Sequence, residues 1–409
     1  MHYNTFILPN GLRIIHSETH SPVSYCGFAV NAGTRDEQAH EEGLAHFVEH
    51  MLFKGTTKRK SWHIINRMER VGGEINAYTT KEETFLYSVH LSEDLERAME
   101  LLGDLFFHSQ YPSAEIEKEK EVVIDEINSY LDSPGELIFD EFENFIFEGS
   151  NLGHPILGNE ESLNSFTSDS CRNFVDSHYR LNNICFFSTG KTPFKKVVRL
   201  AEKLWSKEII KSDSPERKSI NLNHCPKEQA KTFNKELHQS HVMIGARAYS
   251  LYDKNRLGLY LLNNILGGPG MNSRLNLSLR EKHGLVYTVE SSLTSYSDTG
   301  VLNIYFGCDH DSVNKCIRLV YKELKRLREE KLSTSQFATA IKQLKGQLGI
   351  SYEHGESKAL SLGKSYLRYG KVDDLTDMYK KIDLITPEQL LSIANEISSP
   401  DKLYQLIFE

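Results

Sequence analysis

The sequence predicts an α+β fold built as two similar domains. Three observations carry this expectation. Strand patterns closed by a tight turn open the chain, long amphipathic helices follow, and after a polar linker the same order of elements returns. A chain of 409 residues is long enough for two cores of ordinary size.

Phe6-Ile7-Leu8 runs into Pro9-Asn10-Gly11, and Leu12-Arg13-Ile14-Ile15 returns from it. Proline and glycine supply the backbone angles a reversal needs, so the two runs read as a hairpin. Residues 23–30 form another strand, ending at Asn31-Ala32-Gly33. A short apolar helix is expected over 43–53, then an amphipathic helix around 64–71 that Gly72-Gly73 breaks. Asn76-Ala77-Tyr78-Thr79-Thr80 has strand propensity, Phe85-Leu86-Tyr87-Ser88-Val89 resumes a strand pattern, and helices are expected over 91–107 and 114–130. The polar stretch 211–218 has the composition of an exposed linker and divides the chain into domains 1–215 and 216–409. Beyond it, 240–248 reads as strand, 256–266 as an apolar helix, Gly267-Gly268-Pro269-Gly270 as a loop, 301–306 as strand and 313–327 as helix. The recurrence suggests an internal duplication, with Tyr260-Leu261-Leu262-Asn263-Asn264 standing where the 43–53 helix stands in the first half. That second helix has no histidine and no acid, so it offers no second copy of whatever site the first one builds.

Composition removes several function classes. Charged residues are 25% and hydrophobic residues 39% of the chain, ordinary for a globular protein. A formal charge of -8 without a basic stripe gives no nucleic-acid surface. No run approaches the roughly 18 apolar residues of a membrane span, and the first residues have neither a basic nor an apolar leader region, so a cytoplasmic protein is expected. Cys26, Cys171, Cys185, Cys225, Cys308 and Cys316 are scattered, with no CxxC pair, and read as buried thiols in a reducing compartment. No Gly-x-Ser-x-Gly elbow is present, and Gly267-Gly268-Pro269-Gly270 lacks the following residues of a phosphate loop.

The chemistry concentrates in His46-Phe47-Val48-Glu49-His50, set inside an otherwise apolar run. On a helix His46 and His50 lie one turn apart on one face, with Glu49 beside them. Burying polar groups without partners costs roughly 2–7 kcal/mol each. Two core histidines are the plain alternative. A zinc ion explains better why three polar groups interrupt Leu44, Phe47, Val48, Met51, Leu52 and Phe53. Glu49 between the histidines is then placed to act as a base on an activated water. A catalytic zinc normally has three protein ligands, so one is missing. The helix 114–130 supplies candidates: at about 100° per residue Ile116, Val123, Ile127 and Tyr130 form one stripe, with Glu119 and Glu126 on or beside it. Glu115, Glu117, Glu121 and Asp125 point mostly elsewhere. Lys120 lies close enough to the stripe to spoil it. Two turns, roughly 10 Å, separate Glu119 from Glu126, so periodicity names both and chooses neither. The segment of Asn76, Ala77, Tyr78 and Thr79 reads equally as an internal strand or as an exposed edge offering hydrogen bonds to an extended peptide.

Taken together these residues resemble the inverzincin, or pitrilysin-like, metallopeptidases, in particular short bacterial relatives of the mitochondrial processing peptidase β subunit. His46-Phe47-Val48-Glu49-His50-Met51-Leu52-Phe53-Lys54-Gly55-Thr56 resembles the inverted zinc motif and its flank. Gly72-Gly73-Glu74-Ile75-Asn76-Ala77-Tyr78-Thr79 resembles the strand after it, and Glu119-Lys120-Glu121-Val122-Val123-Ile124-Asp125-Glu126-Ile127 the helix of the third ligand. Leu279-Arg280-Glu281-Lys282-His283-Gly284-Leu285-Val286-Tyr287 resembles the second-half motif. The resemblance implies one zinc per chain held by His46, His50 and Glu126, with Glu119 as supporting acid and Glu49 as general base. It implies that Arg280 and Tyr287 contact substrate. It also implies two domains, each an antiparallel-rich sheet with helices packed on it as in the processing peptidase, enclosing a cleft or chamber, and makes a homodimer the expected assembly. The expected activity is hydrolysis of extended peptides. Two alternatives remain: a non-catalytic binding or assembly subunit that keeps a structural zinc, and an active subunit that needs a different partner chain.

Overall fold

The computed structural model describes residues 2–221 and 226–409, so the expectation for Cys225 lies outside the described residues. Strands β1 (Asn4–Ile7), β2 (Arg13–Glu18), β3 (Val23–Val30), β4 (Glu74–Thr79), β5 (Thr84–Leu91) and β6 (Ile184–Gly190) form one sheet in the order β1-β2-β6-β3-β5-β4. Strands β7 (Ala230–Phe233), β8 (Ser240–Ala248), β9 (Val286–Ser295), β10 (Gly300–Cys308) and β11 (Tyr404–Phe408) form a second, in the order β7-β11-β8-β10-β9. All pairings are antiparallel except β2 with β6 and β11 with β7. The first helices in chain order are α1 (Leu44–Met51), α2 (Ser61–Glu69), α3 (Leu95–His108), α4 (Ser113–Leu131) and α5 (Pro134–Ile146). The α+β expectation holds, with one mixed sheet and packed helices in each of two units.

The opening hairpin forms as its turn residues dictate. Phe6 pairs with Ile14, the Gly11 amide donates to the Leu8 carbonyl, and Gly11 sits at φ +92, where other residues are strained. The helix expected over 91–107 begins later, at Leu95. Leu91 still pairs with Val23 as the last residue of β5, and a 3-10 turn over Ser92–Asp94 intervenes.

The units are discontinuous in sequence. The first comprises residues 1–127, 155–218 and 350–374, and the second 128–154, 219–349 and 375–409. In the first, β3 and β6 alternate. Phe28, Val30 and Phe186 face a core shared with α1 and α3, while Ala29, Cys185 and Phe187 face Ala359, Leu362, Tyr366 and Leu367 of the helix Gly355–Tyr369. Gly363 lies so close to that sheet that a β-carbon there would stand 2.7 Å from the Phe187 ring. In the second unit, Val242, Ile244 and Ala246 of β8 pack towards the helices Arg256–Gly267, Val313–Glu329 and Pro387–Ile397. Met243 faces Phe142 and Phe145 of α5. Each sheet is therefore covered on both faces, and each borrows one covering helix from a distant part of the sequence.

The polar stretch near the middle has no regular structure, as its composition suggests, but it is anchored. Arg217 donates to both carboxylate oxygens of Asp36 at 2.8 Å and to the carbonyls of Asn31 and Glu82 at 3.1 Å. The cysteines at 26, 171, 185, 308 and 316 are free and buried. No helix among the described residues is long and apolar enough to cross a membrane.

Candidate metal centre

Helix α1 follows β3 after a turn and buries Leu44, Ala45, Phe47, Val48 and Met51 completely. It has only eight residues, too few to be stable by themselves, so packing and its first turn hold it. Gly43 caps it at φ +91 without a side chain to offer. Glu37 supplies the missing acceptors: its carboxylate takes the amide protons of Gly43 at 2.9 Å and Ala45 at 2.7 Å. A carboxylate there also complements the positive end of the helix dipole. Burial raises the Glu37 pKa well above the usual carboxylate range, against those two amides and the charge of Lys81.

This arrangement aims His46 and His50 from one face, their ring centroids 4.5 Å apart. Glu126, on α4, brings Oε2 to 3.9 Å from His46 Nε2 and 3.6 Å from His50 Nε2. One ligand atom from each of the three residues lies within 4.8 Å of the others. Zinc bonds of about 2.0–2.1 Å place tetrahedral donors roughly 3.3 Å apart, so small adjustments would close the set around one ion. The donors fit such an ion in chemistry as well. Two imidazole nitrogens and a carboxylate oxygen are donor types that zinc takes, and Nε2 of each ring faces Glu126. Burial, and then the charge of His50, hold the His46 pKa down to about 3 against the pull of Glu119, so the ring is neutral with a lone pair to give.

His50 is held differently. Its Nδ1 is 2.9 Å from Glu119 Oε1, and the other Glu119 oxygen takes an ion pair from Lys54. Burial alone would lower the His50 pKa. The Glu119 hydrogen bond and the charges of Glu126, Glu119 and Glu49 outweigh it and raise the value. Glu119 moves the other way: burial pushes its pKa up, but the His50 and Lys54 contacts prevail and lower it. A proton kept on Nδ1 leaves Nε2 free, the arrangement that orients a ligating imidazole. Glu49 is 9% exposed and accepts a hydrogen bond on Oε2 from the Thr79 hydroxyl at 2.5 Å. Burial raises its pKa, opposed by that bond and by His50.

The remaining predicted residues fall in two places. Asn76, Ala77, Tyr78 and Thr79 lie on β4, the edge of the first sheet, paired with β5 on one side only. Arg280 and Tyr287 belong to the second unit. There the Arg280 guanidinium stands 5.9 Å from the centre of the Tyr287 ring, and Tyr287 is 88% exposed. Both line a cavity of about 350 Å³ with Gly268, Met271, Asn276 and Glu290. On α4, Ile116, Glu119 and Val123 are buried as the stripe predicts, whereas Ile127 and Tyr130 are half-buried and Glu126 is exposed. Lys120 is buried too, its ammonium bonded to Glu117 and to the Asn164 carbonyl. Sequence reading missed Glu37 and Lys54 as supports. Lys54 sits in the motif's flank, whereas Glu37 carries no local signal, because its partners lie across a turn.

The chain is similar throughout to known proteins. The family model described as "Insulinase (Peptidase family M16)" matches residues 13–160, and "Peptidase M16 inactive domain" matches 165–344. An uncharacterized zinc protease of Rickettsia felis is 34% identical over 97% of this chain and 95% of its own length. The uncharacterized zinc protease YmxG of Bacillus subtilis is 32% identical over 97% and 96%. Among solved structures, a protease from Helicobacter pylori superposes with a TM-score of 0.91 at 19% identity, covering 100% of this chain and 99% of that one, a likeness of fold. With the His46, His50 and Glu126 cluster in the first unit and no such cluster among the described residues of the second, the chain belongs to peptidase family M16, the pitrilysin-like zinc metallopeptidases.

Proposed function

We propose that the protein is a zinc-dependent endopeptidase that hydrolyses extended peptides or unfolded segments. The observation that carries this is the convergence of His46, His50 and Glu126 beside a buried Glu49 whose Oε2 is already engaged by Thr79. A zinc ion held by those three side chains would supply Lewis acidity towards a water and the scissile carbonyl. Glu49 takes the proton of the attacking water, its burial keeping it a stronger base than an exposed carboxylate, and returns the proton to the leaving amine. Glu119, balanced by Lys54, holds the His50 ring in place. The free edge of β4 offers backbone hydrogen bonds along Asn76, Ala77, Tyr78 and Thr79, which select an extended chain over a folded one. Arg280 binds a substrate carbonyl or carboxylate, and the Tyr287 hydroxyl donates to the oxygen that gains charge. The same reading takes the protein as a cytoplasmic homodimer.

Incubating the zinc-loaded protein with a mixed peptide library, with and without chelator, tests this. Cleavage that chelation abolishes and zinc restores is the expected result. Stoichiometric zinc with no cleavage would favour a binding subunit instead.

A further inference from the structure

The tip of the β4–β5 hairpin, residues 80–83, is built in a way that a connecting turn does not require. Lys81, Glu82 and Glu83 are three consecutive charged residues, each only 2% exposed. Turns usually lie in water, and removing charges from water is costly unless each finds partners. Here each does. Glu82 accepts from the Arg35 guanidinium at 2.5 Å, and the Arg217 guanidinium stands 3.6 Å away. Glu83 accepts from Lys364 at 2.5 Å on one oxygen and from Arg368 at 2.6 Å on the other, both on the Gly355–Tyr369 helix. Lys81 lies near the Glu37 carboxylate that caps α1. The tip is also knitted through its backbone. The Thr80 amide donates to the Glu83 carbonyl at 2.8 Å, the Glu83 amide to the Thr80 hydroxyl at 3.1 Å, and the Arg35 amide to the Lys81 carbonyl at 2.8 Å.

One residue before this tip is Thr79, paired across the hairpin with Thr84. Its hydroxyl is the donor to Glu49 Oε2. A clamp on the tip therefore fixes where that hydroxyl stands, and with it which Glu49 oxygen is occupied and which is left open.

The geometry points to Glu83 as a positioning residue for Glu49, acting through the clamped hairpin tip and the Thr79 hydroxyl. It rests on the reading of Glu49 as the general base. Apolar residues of similar volume would fill the same space without desolvating charge, so packing does not account for the buried ions. Ion pairs of fixed geometry do account for a fixed direction. The Gly355–Tyr369 helix thus serves the proton-transfer step without touching a reacting atom, by holding a threonine in register with a carboxylate.

The test compares T79V, a triple change E83Q/K364M/R368M that removes the charges without leaving one unpaired, and the two combined. The triple variant is expected to lose about tenfold in kcat, since small misplacements of a catalytic group cost up to about a hundredfold. KM and zinc content should stay unchanged, and adding T79V should cause no further loss. An unchanged kcat, or losses that simply multiply, would overturn the proposal. If the triple variant does not fold, R368K, which keeps the charge but not the fork, is put through the same cycle with a smaller loss expected. Hydrogen exchange at the amides of residues 79–84 gives a readout that needs no activity. It should quicken about tenfold in either variant, and unchanged exchange would also overturn the clamp. Faster exchange in a protein whose wild type cleaves nothing would defeat the peptidase reading while supporting the clamp.

Discussion

Glu119 and Glu126 lie two turns apart on α4, and His50 shows what separates them. Glu119 meets its Nδ1 and Glu126 faces its Nε2, so both acids serve one imidazole from opposite sides. This is why helical periodicity brought both to one stripe and why it had no means of choosing: the distinction lies in which ring nitrogen each one meets. Glu126→Gln is expected to weaken zinc binding by a hundredfold or more, whereas Glu119→Gln should weaken it by about 10–100-fold, as loss of an orienting partner does. Zinc competition with a chromophoric chelator would rank the two, and the reverse order would exchange their roles. Glu49→Gln should retain one zinc per chain and lose about 10²–10⁴ in kcat. Measured turnover at the wild-type level would remove Glu49 from the mechanism.

At the scale of elements, α1 depends on a residue outside it. Glu37→Gln keeps the shape of the cap but gives up one acceptor and faces an amide donor against the helix amides. A loss of about 1–2 kcal/mol is expected, read from denaturant unfolding of the metal-free protein. A second expectation concerns β5, where burial holds the His90 pKa down to about 4 from an ordinary 6.5. Between those values the unfolded chain binds a proton that the folded chain does not. Stability should therefore fall as pH drops from about 6.5 to 4 and level off below, by about 3 kcal/mol for this group. His90→Asn should flatten that part of the pH profile of unfolding, and an unchanged slope would assign it to other groups. The elements were legible where their signals were local. Pro9-Asn10-Gly11 announced its hairpin, the apolar run around His46 its helix, and Gly72-Gly73 the break before β4. The start of α3 carries no such local signal, because Leu91 suits a strand and a helix equally, and pairing with Val23 decides it.

The whole molecule was legible as two sheet-and-helix units from the recurrence of their elements, but not in how the units draw on the chain. Nothing in the composition of 128–154 or 350–374 marks either as belonging with residues about a hundred positions or more away. Their apolar stripes fit any sheet face, and only packing against Phe187 or Met243 assigns them. Gly363→Leu is accordingly expected to be severely destabilising, because Phe187 leaves no room for the added carbons, and overpacking of this kind costs about 1–3 kcal/mol or more. A thermal midpoint equal to wild type would show that the helix can stand off from the sheet.

The borrowed helix also has a consequence for how the protein is made. During synthesis the first sheet is complete once β6 has emerged, yet one of its faces, with Phe85, Tyr87 and Phe187, waits for the segment that begins at residue 350. At about 5–20 residues per second that apolar face stays bare for roughly 10–30 s on the ribosome. A nascent chain in that state is a client for a chaperone, and a fragment ending near residue 218 would remain one for good.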